Sequence, residues 1–265
     1  MSEPVLAHSA TKLAGTAGRV VVCGSHGGRY AGLLAVAAGV RAILLNDAGV
    51  GLDNAGIAGL ATCEDNAVPA ATLSHTSCRI GHAGSAHQEG IVSHANRLAA
   101  ALGVEVGQSA DTAARCLAAA PQTEARPMAE DEHRSEDRSG QTRVIVMDSN
   151  GLVRPRDDDG AIIITASHGG LVGDDPASAG RAQAALFAFN DAGVGKDGAG
   201  LTRLPVLDAR GIPAVTVGHN TARIGDGAST LETGVITHTN AAANAAGARA
   251  GMPLAVLVAL IGEAA

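Results

Sequence analysis

The sequence predicts an α/β protein: a tandem duplication of one mainly parallel α/β unit, the copies related by a pseudo-two-fold, with sites at the C-terminal ends of the strands. Three observations carry this expectation. First, NDAGVGLDNAG at 46–56 returns as NDAGVGKDGAG at 190–200, with nine of eleven positions identical and an offset of 191 − 47 = 144. Second, the offset persists at Pro69/Pro213, His75/His219, Arg79/Arg223, His94/His238, Asn96/Asn240 and Gly107/Gly251. Third, short β-branched runs alternate with longer Ala-rich ones in both copies, the pattern of strands and helices that builds a parallel sheet. A period this long makes each copy domain-sized rather than a solenoid repeat.

The elements follow in order. Apolar runs at 5–6 and 144–147 open each copy as a first strand. RVVVC at 19–23 and AIIIT at 161–165 read as strands buried on both faces. GSHGG at 24–28 follows the first and ASHGG at 166–170 the second, at an offset of 168 − 26 = 142, so two residues are inserted after the second SHGG. Ala-rich stretches at 31–40 and 177–185 read as helices. Strands at 42–45 and 186–189 end in Asn-Asp, and the Gly-rich loop leads to a short helix. Strands at 70–73 and 214–217 precede His75 and His219, a further short run ends at His94 or His238, and an Ala-rich helix closes the unit. Residues 1–120 form the first repeat and 143–265 the second. The charged, Pro-containing stretch 121–142 between them reads as an exposed linker.

Composition narrows the function. Aromatic residues are 1% of the chain and the net charge is −7, which argues against nucleic-acid binding, since neither a basic stripe nor stacking platforms exist. No run has the length and apolarity of a membrane span, and the start MSEPVLAHSA lacks the layout of a signal peptide. Cys23, Cys63, Cys78 and Cys116 have no metal-type spacing and read as reduced thiols. A cytoplasmic protein is expected.

The chemistry-bearing residues fall where ligands bind in open parallel sheets, beyond the carboxyl ends of strands. His26, Asp47 and His75, with His168, Asp191 and His219, are the expected catalytic set. They would work as an acid–base network or as ligands of a divalent metal ion. Ser25, Gly27, Gly28 and Asn46, with Ser167, Gly169, Gly170 and Asn190, are the expected substrate-binding loops, the glycine N–H groups offering an anion hole. Arg79 and Arg223 could clamp a carboxylate in bidentate fashion, or could pair with loop Asp residues. Asp53 and Asp197 read as structural, and helix capping by Ser93, Thr237 or the pair Asn96 and Asn240 accounts for the polar residues around His94 and His238. The copies differ at His82 against Asp226 and at His87 against Leu231, which favours one dominant site.

Several motifs are missing. The strand before the Gly-rich loop ends in Asn-Asp rather than Cys, so caspase-like cysteine chemistry does not carry over. G-x-G-x-x-G after the first strand, the phosphate-binding loop and G-x-S-x-G are absent, so no nucleotide cofactor and no ordinary Ser hydrolase is expected. The expected protein is an enzyme on a small, polar, carboxylate-bearing substrate. A hydrolase of a C–N or similar bond is expected first, a lyase or decarboxylase with the same residues second, and a non-catalytic anion-binding or regulatory protein third. The Ala-rich tail 241–264 is expected to bury a subunit face in a homo-oligomer.

Overall fold

A computed structural model describes residues 3–122, 124–127 and 131–263. The first half runs β1 (Val5–Ala7), β2 (Val20–His26), α1 (Arg29–Ala38), β3 (Ala42–Asn46), α2 (Gly59–Asp65), β4 (Ala70–Leu73), α3 (Ala83–Glu89), β5 (Val92–Ala95), α4 (Arg97–Ala101) and α5 (Ala110–Leu117). The second runs β6 (Arg134–Asp137), β7 (Val144–Met147), β8 (Ile162–His168), β9 (Leu186–Asn190), α6 (Arg203–Asp208), β10 (Ala214–Val217), α7 (Gly227–Thr233), β11 (Ile236–Thr239), α8 (Ala241–Ala245) and α9 (Leu254–Glu263). Two sheets result, ordered β1-β2-β3-β4-β5 and β11-β10-β9-β8-β7-β6. Pairing is parallel from β1 to β4 and from β7 to β10, whereas β5, β6 and β11 pair antiparallel with their neighbours. Both sheets are therefore mixed and mostly parallel.

The β-branched runs form strands because each side chain is taken out of water on one face or the other. In the first sheet, Val21, Ile43 and Leu45 pack under α1 and α2, while Val22, Leu44 and Leu73 pack against Ala86 of α3 and Leu117 of α5. The second sheet repeats this with Ile163, Phe187 and Phe189 on one face and Ile162, Ile164 and Val215 on the other. Each such side chain contributes about 1.5–3 kcal/mol on burial.

One expected helix is not there. Residues 177–185, which match the Ala-rich pattern of α1, form only the end of a 3₁₀ turn at Pro176–Ser178 and an irregular loop. Gly180 interrupts the stretch and Gly173 and Pro176 lie just before it, and Gly and Pro are the residues least tolerant of a helix interior. The space is filled otherwise. Phe187 and Phe189 stand where the 144-residue offset puts Ile43 and Leu45, and a Cβ on Gly180 would come 2.8 Å from the Phe187 ring. Arg203 stands where the first half has Gly59, with its guanidinium 5.2 Å from the Phe189 ring centre. In the first half that place is closed, since a Cβ on Gly59 would meet Gly28 O at 2.6 Å.

The stretch 121–142, expected as a linker, supplies β6, an edge strand that pairs with β7. Residues 123 and 128–130 of it lie outside the described residues, as does Ala264 of the expected subunit face. Arg134 of β6 reaches the buried Asp158 at 2.6 Å, so this edge is anchored by charge rather than by apolar contact. Among the described residues no helix is long and apolar enough to cross a membrane.

Candidate functional site

The ends of the two sheets face each other across interlocked loops. Leu52 N–H donates to His219 O at 2.8 Å, and Lys196 N–H donates to His75 O at 2.7 Å. A small core of Ala48, Ile80, Ala192, Ala199 and Ile224 lies between them. Glycine is required here by contact: a Cβ on Gly193 (φ +73°) would stand 2.7 Å from the His75 ring and 3.0 Å from Gly49 Cα, and Gly49 (φ +76°) meets the His219 ring in the same way at 2.8 Å. The loops also hold Val50 and Val194 at φ 63°. A β-branched residue in the left-handed region costs about 1–3 kcal/mol, which the surrounding contacts must offset.

Two Asp–His pairs sit in this junction. Asp47 Oδ1 lies 2.9 Å from His75 Nδ1 and accepts the backbone N–H groups of His75 (2.9 Å) and Gly49 (3.1 Å). Asp191 repeats each contact with His219 and Gly193 at 2.9, 2.9 and 3.0 Å, and its Oδ2 accepts from Thr237 Oγ1 at 3.1 Å. The carboxylates are almost fully buried, whereas the His75 and His219 side chains are 25% and 31% exposed. Burial acts to raise both Asp pKa values, but the hydrogen bonds from the paired His side chain and backbone and from the loop outweigh it, so both lie below the ordinary value. His219 is held above its ordinary value, first by its hydrogen bond to Asp191 and then, against a lowering by burial, by the charges of Asp191 and Asp47. A carboxylate only accepts, so Nδ1 carries the proton in each neutral pair and Nε2 keeps a lone pair.

His26 and His168 are arranged the opposite way. Each ring Nδ1 accepts the N–H two residues on, from Gly28 at 3.1 Å and from Gly170 at 3.2 Å. The proton is therefore on Nε2, which makes both rings donors. Burial lowers the His26 pKa to about 4 and is the largest cause of the lowering at His168, where the charge of Arg203 adds to it. Both are neutral near pH 7. They line a cleft of about 1040 Å³ between the halves, together with Ser25, Ser167, Arg203 and Arg223. Asp47, His75, Asp191 and His219 do not line it. The residues expected as one catalytic set are thus divided between a cleft and a pair of junction dyads.

The remaining expected site residues mostly hold the loops. Gly27 and Gly169 donate to Asn46 O and Asn190 O at 2.7 and 2.8 Å, and the next two glycines donate to the histidines. None of the four N–H groups is left for the expected anion hole. Ser25 and Ser167 each accept a backbone N–H, of Ala10 and Asn150, at 2.9 Å. Asn46 and Asn190 accept the N–H groups of Ala48 and Ala192 at 2.9 Å, in Asx turns. Arg79 binds Asp174 at 2.5 Å and Arg223 binds Asp53 at 3.0 Å, so each Arg ties its half to the other. The asymmetry of His82 and Asp226 has a plain origin: each caps a helix, accepting the N–H of Ser85 or Ser229 at 2.9 Å. Of the candidate caps, Asn96 and Asn240 cap α4 and α8.

Among the described residues no three His, Cys, Asp or Glu groups converge as a metal site would require. Sequence reasoning missed Arg203, which stands alone in its copy and so gives no repeat signal. No family model matches the chain, and neither curated proteins nor solved structures give a significant match.

Proposed function

We propose that the chain is a duplicated enzyme that hydrolyses a small, polar, carboxylate-bearing substrate at a C–N or similar bond, with the Asp47–His75 and Asp191–His219 pairs as its bases. The observation that carries this reading is the pairing itself. In both halves a buried carboxylate holds the imidazole 2.9 Å away through Nδ1, and the ring remains partly open to solvent. That is the arrangement a general base needs: the carboxylate fixes the tautomer, Nε2 takes a proton from water, and the imidazolium formed is stabilised by the adjacent negative charge. The strained valines at 50 and 194 support the same reading, because backbone strain persists where the surroundings hold a site in shape.

His26 and His168, as neutral donors, would polarise a substrate oxygen rather than remove a proton. Arg79 and Arg223 would serve as carboxylate clamps by exchanging an Asp partner for the substrate. A divalent ion among the six His and Asp residues remains the alternative form of this proposal, and elemental analysis of untagged protein reads it. A lyase would use the same residues without incorporating water. The position of the pairs outside the cleft favours, as a second reading, a protein that binds an anion and leaves it unchanged.

The proposal includes a soluble cytoplasmic homo-oligomer with no nucleotide cofactor. Support for the oligomer is α9: Ala255, Val256, Ala259 and Leu260 are exposed where α5 carries Asp111, Thr112, Arg115 and Cys116. The test of the function is turnover by a His75→Ala/His219→Ala double variant on a panel of small carboxylate-bearing amides and esters. Turnover equal to the unaltered protein would sink the reading.

A further inference from the structure

Arg203 is 3% exposed and lies at the wall of the cleft. Its Nε donates to His168 O (3.2 Å) and Gly170 O (2.9 Å), and its Nη1 donates to Ser178 O and to Ala179 O (2.9 Å). Nη2 has no protein acceptor, and no carboxylate lies within ion-pair distance of the guanidinium, among the described residues. Desolvation lowers its pKa to about 9, which leaves it charged at neutral pH. Buried cations are ordinarily matched by an anion, because carbonyl dipoles alone do not replace the lost hydration of a full charge. The other arginines named above as junction ties have their carboxylates; this one does not.

We propose that the cleft binds an oxyanion carried on a small molecule, with Arg203 as its counter-charge and the Nε2–H groups of His26 and His168 as further donors. Two neutral imidazoles with protons on Nε2, one from each half, face the same space as the unmatched guanidinium. The site is single because the matching position in the first half is Gly59, walled by Gly28 O. A planar guanidinium suits carboxylate and phosphate oxygens alike, so the shared chemistry is the oxyanion. This inference concerns binding and does not depend on turnover at the Asp–His pairs.

The test is isothermal titration of the intact protein with malonate and, separately, inorganic phosphate, with ¹⁵N spectra of the histidine rings recorded alongside. Saturable binding of either probe is expected, with the tighter one naming the class, and with the Nε2 signals of His26 and His168 moving. Arg203→Lys and His26→Ala should each weaken binding roughly tenfold, the loss of a hydrogen bond to a charged group. His75→Ala should leave it unchanged, which separates failure here from failure of the dyads. If Arg203→Lys does not fold, the more exposed His26→Ala decides. Absence of binding at millimolar concentration for both probes overturns the proposal, as does binding indifferent to His26→Ala.

Discussion

Acid should destabilise this protein through His26 before the Asp47 and Asp191 carboxylates titrate. In the unfolded chain the ring has a pKa of 6.5, and in the folded protein burial lowers it to about 4. Between those values the unfolded state binds a proton that the folded state refuses, so stability falls as the pH falls. The stabilisation relative to the protonated chain is fully present above pH 6.5 and is lost on the way down to about pH 4. At about 1.4 kcal/mol per pKa unit the depression is equivalent to about 3 kcal/mol, and partial exposure of the ring reduces this to about 2 kcal/mol. His168 titrates in the same direction and adds to the slope. Asp47 and Asp191 lie below their ordinary pKa of 3.8 and lose their contribution only at still lower pH, so the windows separate. Urea unfolding at a series of pH values from neutral to 4, for the unaltered protein and His26→Gln, measures this directly. The variant's stability should decline by about 2 kcal/mol less across the window. Identical slopes would refute the assignment of His26 as a ring held neutral by burial.

Two further outcomes follow from the packing. Gly193→Ala puts a methyl group 2.7 Å from the His75 ring and 3.0 Å from Gly49 Cα, at a φ of +73°. It should cost roughly 2–4 kcal/mol by denaturant titration, from overpacking and left-handed strain together, whereas Gly198→Ala, with nothing within 4 Å but φ +66°, should cost only the strain, about 1 kcal/mol. On the proposed homo-oligomer, Leu260→Glu, placed on the exposed apolar face of α9, should lower the mass read by light scattering to that of one chain while leaving the melting temperature of the monomer's fold in place. An unchanged mass would remove α9 as the subunit contact.

Much of the fold was legible because the central strands are buried on both faces and so read as short apolar runs, β-branched in β2 and β8. The strands at 70–73 and 214–217 match β4 and β10 residue for residue. The stretch 177–185 is rich in Ala yet forms no helix, because Gly180 interrupts it and because the tertiary solution, two Phe rings and a buried Arg, is not visible locally. The edge strand β6 was hidden by its charges: it carries Arg-Ser-Glu-Asp, and its anchor is the Arg134–Asp158 pair rather than an apolar face.

The site was legible in type and not in grouping. The repeat marked Asp47, His75, Asp191 and His219, and they do meet in pairs. It also marked SHGG, whose histidines are donors turned into a cleft rather than members of the same constellation. Register explains the separation. His26 pairs with Asn46 and Asn46 with Leu73, so His26 and the chain leading to His75 stand two strands apart, about 10 Å. Arg79 and Arg223 do pair with loop Asp residues, one of the two roles their spacing allowed, and Asp174 and Asp53 come from the opposite half, which sequence order does not reveal.

The most direct test of the central claim is turnover in ¹⁸O-labelled water of the small carboxylate-bearing amide or ester that the protein accepts, comparing it with His75→Ala, His219→Ala and the double variant. Carboxylate-held imidazoles acting as bases predict label in the product and a loss of about 10²–10⁴-fold in the double variant, with the fold retained. Undiminished, label-incorporating turnover in that variant would contradict the account, as would a panel in which every substrate is bound and none is cleaved.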